Sequence, residues 1–198
     1  SQVLDNLIAQ GKAEPMIVVM TNGNAWAEAA PGESPEGFTV PSMRSTKQAM
    51  EGGFELHFPE VISFIEKNFR VKPGKENRAM AGLSMGGGQT FFVGLQHTEL
   101  FAHLGVFSTG VFGGIRESAG FDAERAMPGL ISKKDKYNKE LKTFYISVGT
   151  DDPRITPTTK TVENLRSSGL NVIFNTFPGD HEWQVWRKSL HDFVQKIF

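Results

Sequence analysis

Cysteine is missing altogether from the 198 residues, which removes disulfides, thiol nucleophiles and zinc-thiolate centres while leaving the compartment open. Nor is there an excess of positive charge. The 21 Lys and Arg stand against 22 Asp and Glu, a formal net charge of −1, so the broad basic field that nucleic acid attracts is lacking. Long hydrophobic runs are equally scarce. The longest pure apolar stretch is Met16-Ile17-Val18-Val19-Met20, far short of the roughly 20 residues that span a membrane as a helix. There is no internal repeat and no low-complexity segment. The chain opens in a helical pattern with neither an initiator methionine nor a leader, so a removed leader or a larger N-terminal part is expected upstream.

What is there reads as an ordinary globular chain, 39% hydrophobic and 22% charged, of a length that suits a single domain over residues 1–198. Val3, Leu4, Leu7 and Ile8 recur at helical spacing before Gly11. Met16 to Met20 is β-branched and apolar, ends at Thr21-Asn22-Gly23, and predicts a strand buried on both faces. Residues 22–52 hold Pro31, Pro35, Pro41 and many glycines, a long loop of the kind that often carries function. Phe54 to Phe69 is helical in pattern, with Pro59 in its first turns. Strands are predicted at Arg78–Leu83, Leu104–Phe107, Lys142–Val148 and Asn171–Phe177, five in all with Met16–Met20. Helices are predicted at Thr90–Leu95, Thr158–Arg166 and Glu182–Phe198, and at most one short helix in 109–140. Alternation of strands and helices implies an α/β fold, a mostly parallel sheet with helices on both faces.

Gly82-Leu83-Ser84-Met85-Gly86 is a G-x-S-x-G sequence set between a strand and a helix. A serine in that turn is forced into a tight backbone, and the flanking glycines are expected to remove side chains that would clash. The hydroxyl then stands above the C-terminal edge of the sheet, where open α/β sheets bind ligands. The N–H of Met85, at the helix start, is a candidate oxyanion donor. A phosphate-cradling loop is the competing reading of Gly86-Gly87-Gly88, but no lysine follows at the required spacing.

A serine hydroxyl needs a base to become nucleophilic. Of five histidines, His57, His97 and His103 sit at element ends and His191 falls on the polar side of the last helix, opposite Trp183, Trp186, Leu190, Phe193 and Ile197, which are predicted to form its buried face. His181 stands in Pro178-Gly179-Asp180-His181, after the last strand and before the last helix, where an α/β hydrolase carries its histidine. The base needs a carboxylate to orient it. Asp151 and Asp152 both follow the strand Phe144–Val148, and spacing alone does not choose between them. The chain order Ser, Asp, His is that of α/β hydrolases.

With these residues assembled, the chain resembles the esterase D-like family of carbohydrate esterases, and within it the feruloyl esterase modules of bacterial xylanases (carbohydrate esterase family 1). The likeness runs through Leu4-Asp5-Asn6-Leu7-Ile8-Ala9-Gln10-Gly11, Pro15-Met16-Ile17-Val18-Val19 and Ala81-Gly82-Leu83-Ser84-Met85-Gly86-Gly87-Gly88-Gln89. It continues in Val148-Gly149-Thr150-Asp151-Asp152 and Gly179-Asp180-His181-Glu182-Trp183-Gln184-Val185-Trp186. The resemblance implies an α/β-hydrolase fold, a Ser84–His181–Asp152 triad and no metal or organic cofactor. Asp152 is the acid by position in the family pattern, with Asp151 as the fallback. It further implies an ester substrate, feruloyl or acetyl groups on plant cell-wall polysaccharide, and an exported enzyme, secreted or periplasmic. Trp26 and Trp183 are the expected pocket aromatics, with Phe112 a weaker candidate.

Family members carry a strand ending in a His-Gly loop upstream of the first helix seen here, which supplies a second oxyanion donor. That segment is therefore expected to be absent from these residues, together with upstream strands. Two other readings are compatible with the pattern: a relative acting on siderophore or S-formylglutathione-type esters, and a non-catalytic carbohydrate-binding relic.

Overall fold

The computed structural model describes residues 2–21, 57–114 and 120–198. They fall into two compact units, one of Ser1–Pro15 with Gly74–Phe198 and the other of Met16–Pro73.

The first unit is built on a four-stranded parallel sheet in the order β1-β2-β3-β4, with β1 at Ala79–Leu83, β2 at His103–Phe107, β3 at Thr143–Gly149 and β4 at Ile173–Phe177. Every residue of β2 and β3 is buried, whereas β1 and β4 are partly exposed. This is why the two central strands are mostly apolar along their length rather than alternating, with His103, Thr143 and Ser147 as their buried polar positions. Between the strands lie α3 (Met85–Gln96), the short α4 (Ala123–Ala126) and α5 (Lys134–Glu140), and α6 (Ile155–Ser167); α7 (Trp183–Phe193) follows β4. The first helix, α1 (Gln2–Ala9), buries Leu4 and Leu7 and packs against α7. In the other unit α2 spans Phe58–Asn68, with proline in its first turn where the missing N–H costs nothing.

Successive residues of a strand face opposite sides of the sheet, and β3 uses this to join two aromatic clusters. Phe144 faces Phe91 of α3, which also meets Phe112 and Phe121 edge-on at 5.1 and 5.7 Å. Tyr145 turns the other way, to Phe107 and to Phe193 of α7 at 5.9 and 5.6 Å. Helices α3 and α7 thus cover opposite faces.

Four expectations are corrected. Met16–Met20 is not a strand, and Ile17, Val18, Val19 and Met20 are exposed. β-Propensity needs a ladder partner to be realised, and no described strand pairs with this segment. The sheet of the described residues therefore has four strands rather than five. The described residues of 109–140 hold two short helices, not one. Helix α7 buries Val185, Ser189 and Phe193, while Trp183 at its first turn is 68% exposed. Phe112 is 1% exposed, a core residue and not a pocket wall.

The segment linking α4 to α5 is tied by one side chain. The Glu124 carboxylate accepts the N–H groups of Gly129, Ile131 and Ser132 and the Ser132 hydroxyl, at 2.7–3.2 Å. These donors hold its carboxyl down at about 2, against an ordinary 4.5. A depressed carboxylate contributes stability that is complete above its unfolded value and is lost as pH falls through the folded one. The wild-type melting temperature should therefore fall more steeply between pH 4.5 and 2 than that of Glu124→Gln; parallel curves in a pH-resolved melting series would refute this.

Candidate functional site

Parallel pairing brings all four strand C-termini to one edge, and the register aligns Leu83 with Phe107 and Phe107 with Ser147. Ser84, Asp152 and His181 follow β1, β3 and β4, all on this edge and all within one compact unit.

Ser84 joins β1 directly to α3 and holds φ 53°, ψ −112°, a conformation that non-glycine residues seldom adopt. Its N–H is bonded to the Phe107 carbonyl at 2.9 Å, which extends the ladder one residue past the strand and fixes the turn. The turn is this tight only because residue 82 has no side chain. A Cβ there would lie 2.3 Å from the Gly86 carbonyl carbon and oxygen. The reciprocal expectation at Gly86 is not met, since a Cβ there would touch nothing within 4 Å among the described residues. Met85 is the first residue of α3, so its N–H has no carbonyl one turn back and lies at the positive pole of a 12-residue helix.

His181 lies beside Ser84. Its Nε2 is 3.0 Å from Ser84 Oγ, and its Nδ1 is 2.9 Å from Asp152 Oδ2. Asp152 is fully buried, whereas Asp151 is exposed and is used through its backbone, its N–H bonding the Gly179 carbonyl at 3.0 Å. The structure thus brings Asp152, not Asp151, to the histidine. The other oxygen of Asp152 receives two donors from Arg154, the backbone N–H at 3.0 Å and Nη1 at 2.9 Å. Burial pushes the Asp152 carboxyl up, but the bonds from Arg154 and His181 outweigh it and hold the group below the usual carboxylate range. An ionised carboxylate only accepts, so Nδ1 carries the proton and Nε2 is left as the acceptor for the Ser84 hydroxyl. A hydroxyl so placed can pass its proton to the imidazole as it attacks an electrophilic carbon.

The loops carrying acid and base touch backbone to backbone. A Cβ on Gly149 would lie 2.3 Å from the Gly179 carbonyl oxygen, and the Thr150 N–H bonds the Phe177 carbonyl at 2.9 Å. The Asp180 carboxylate accepts the N–H of His181 at 2.7 Å. The imidazole also meets the Trp186 ring at 5.0 Å and 86°, and Trp186 meets Trp183 at 5.1 Å and 80°. Trp183 therefore lies one ring removed from the site with its own face in solvent. Trp26 lies outside the described residues. Sequence reasoning missed Arg154, Trp186 and Gly149. An arginine two residues past a candidate acid was the available signal for the first.

Among the described residues no group of three or more His, Asp or Glu could hold a metal ion, and no helix is long and apolar enough to cross a membrane.

The Esterase family model matches residues 1–197. An endo-1,4-beta-xylanase/feruloyl esterase from Xylanibacter ruminicola is 32% identical over 198 residues, covering 99% of this chain and 23% of that protein. An acetyl esterase from Caldicellulosiruptor saccharolyticus is 22% identical over 156 residues, covering 66% of this chain and 58% of that one. The chain thus spans about a quarter of the first relative and somewhat over half of the second. The ferulic acid esterase of Anaeromyces mucronatus, solved with ferulic acid, shares the α/β-hydrolase-type fold at a TM-score of 0.72, with 22% identity over 98% of this chain and 69% of that one.

The Gly149 contact has a checkable consequence. Gly149→Ala should force the acid and base loops apart, lowering stability by at least about 1–3 kcal/mol. It should also abolish the proton resonance of the hydrogen-bonded His181 Nδ1–H. An unshifted melting temperature and an intact resonance would contradict the contact.

Proposed function

The chain belongs to the Esterase family, and from that premise we propose that it is a serine carboxylic ester hydrolase with Ser84 as nucleophile, His181 as general base and Asp152 as the orienting acid. One observation carries the reading: an unbroken hydrogen-bonded path from Ser84 Oγ through both nitrogens of one imidazole to a buried carboxylate. Ser84 attacks the ester carbonyl as His181 takes its proton, and the N–H of Met85 donates to the oxyanion as charge develops there. His181, now imidazolium beside ionised Asp152, returns the proton to the departing alcohol. Water, deprotonated by the same base, then releases the acid from the acyl-enzyme.

For the substrate we favour feruloyl esters of plant cell-wall polysaccharide, with acetyl esters second. The support is the relative named a xylanase/feruloyl esterase, aligned over 99% of this chain, followed by the acetyl esterase. An exposed Trp183, joined edge-on through Trp186 to the base, suits an aryl acyl group or a pyranose ring, and Trp26 is proposed for the same pocket. Such a substrate belongs outside the cytoplasm, which is where we place the enzyme.

Ser84→Ala should reduce turnover of a chromogenic ester to background while leaving circular dichroism and the melting temperature unchanged; undiminished turnover would overturn the assignment. Asp152→Asn should lower kcat by a factor on the order of 10⁴ through loss of the correct imidazole tautomer. Asp151→Asn should remain close to wild type, and the reverse ranking would move the acid to Asp151. Among methyl ferulate, acetylated xylan and an acyl thioester, the ferulate should give the highest kcat/KM. A preference for the thioester would instead favour an S-formylglutathione-type role.

A further inference from the structure

Arg154 stands in a poor place for a cation. It is the N-cap of α6, at the positive pole of a 13-residue helix, and its side chain makes no capping bond. Nor is it free to extend into water, since the side chain is only 13% exposed. Its Nε is buried with no hydrogen-bond partner among the described residues. Helix electrostatics and hydrogen-bond satisfaction both argue against selecting arginine here for stability, and buried ion pairs are weak stabilisers in general. What the side chain does achieve is a contact with one atom, Asp152 Oδ1, at 2.9 Å, where the residue's own backbone N–H also arrives at 3.0 Å.

We propose that Arg154 is a positioning residue for ester hydrolysis, clamping one oxygen of Asp152 so that the other is presented to the His181 imidazole. The proposal rests on the serine-hydrolase reading and adds a fourth side chain to it. The two carboxylate oxygens are divided between partners: Oδ1 takes both Arg154 donors and Oδ2 takes His181 Nδ1 at 2.9 Å. The carboxylate plane is thereby fixed by contacts on both sides, and rotation that would swing Oδ2 away from the imidazole must break the guanidinium contact. Among the described residues, Asp151, Asp180 and Glu182 are charged, close in sequence to the acid or base, and exposed, and as carboxylates they have no proton to donate to Asp152. Asp180 already accepts the His181 N–H, so none of them substitutes for the clamp. The peptide N–H of residue 154 survives any substitution except proline, so the experiment reads the guanidinium alone.

Arg154→Gln keeps length and an N–H donor but loses the charge, and Arg154→Lys keeps the charge without the planar fork. In the intact protein, Arg154→Gln should lower kcat about 10- to 100-fold with KM within about twofold, a loss of the size seen when an outer partner that orients a metal ligand is removed. Burial of Asp152 would then be less opposed, its carboxyl would protonate at higher pH, and the acid limb of the kcat profile should move upward. Arg154→Lys should bring the limb back toward wild type while recovering only part of kcat. Wild-type kcat and an unmoved limb in both variants would overturn the proposal. So would an activity loss that merely tracks loss of folded protein by circular dichroism. Labelling of wild-type Ser84 by a fluorophosphonate separates the two levels. Normal labelling with an unaffected Arg154→Gln enzyme refutes the clamp alone, whereas no labelling refutes the hydrolase reading and the clamp with it.

Discussion

A carboxylate sealed from water is tolerated only when donors replace the solvation it has lost. Asp152 meets that condition with three, two from Arg154 and one from His181, and the surrounding geometry follows from the requirement. The acceptor dictates which imidazole nitrogen holds the proton, and that choice leaves a lone pair facing the Ser84 hydroxyl. The loop bearing the histidine must come close enough to supply its donor. Gly149 permits this by letting the Gly179 carbonyl sit where a side chain would otherwise stand.

The sheet supplies the remaining constraint. Strands are spaced about 4.8 Å apart, so Ser84 and the end of β3 lie about 10 Å from one another along the edge, and the end of β4 lies farther still. The serine hydroxyl and the Asp152 carboxylate are joined through the imidazole rather than to each other. Reaching back from the loop after β4, the ring bridges the gap, one nitrogen to each partner. Strand β2, lying between, contributes no relay side chain and serves as a fully buried spacer whose last carbonyl holds the Ser84 N–H.

How much of this was legible in the sequence depended on whether the deciding physics was local. The strand-to-helix turn around Ser84 is local, and its glycines announce it. The fully buried strands β2 and β3 announce themselves by the apolar runs Leu104–Phe107 and Phe144–Ile146. Met16–Met20 carries the same signature without becoming a strand, because pairing is a tertiary event that composition does not report. Asp151 and Asp152 are equivalent by spacing, and burial separates them only once the β3 and β4 loops have met. The apolar pattern puts Trp183 on the buried face of α7, but the helix begins there and its buried stripe starts two residues later, at Val185. Arg154 escaped notice for a related reason: a cation beside a helix start looks like a solvated surface residue until its side chain is seen folding back.

Two of the three tryptophans in the chain form a ladder that ends on His181. Indole emission is sensitive to a ring held edge-on at van der Waals range, and more so when that ring gains a charge. The ultraviolet fluorescence of this protein is therefore an intrinsic optical readout of its histidine, with no label attached. A stopped-flow trace could follow occupancy of the site through light from Trp186.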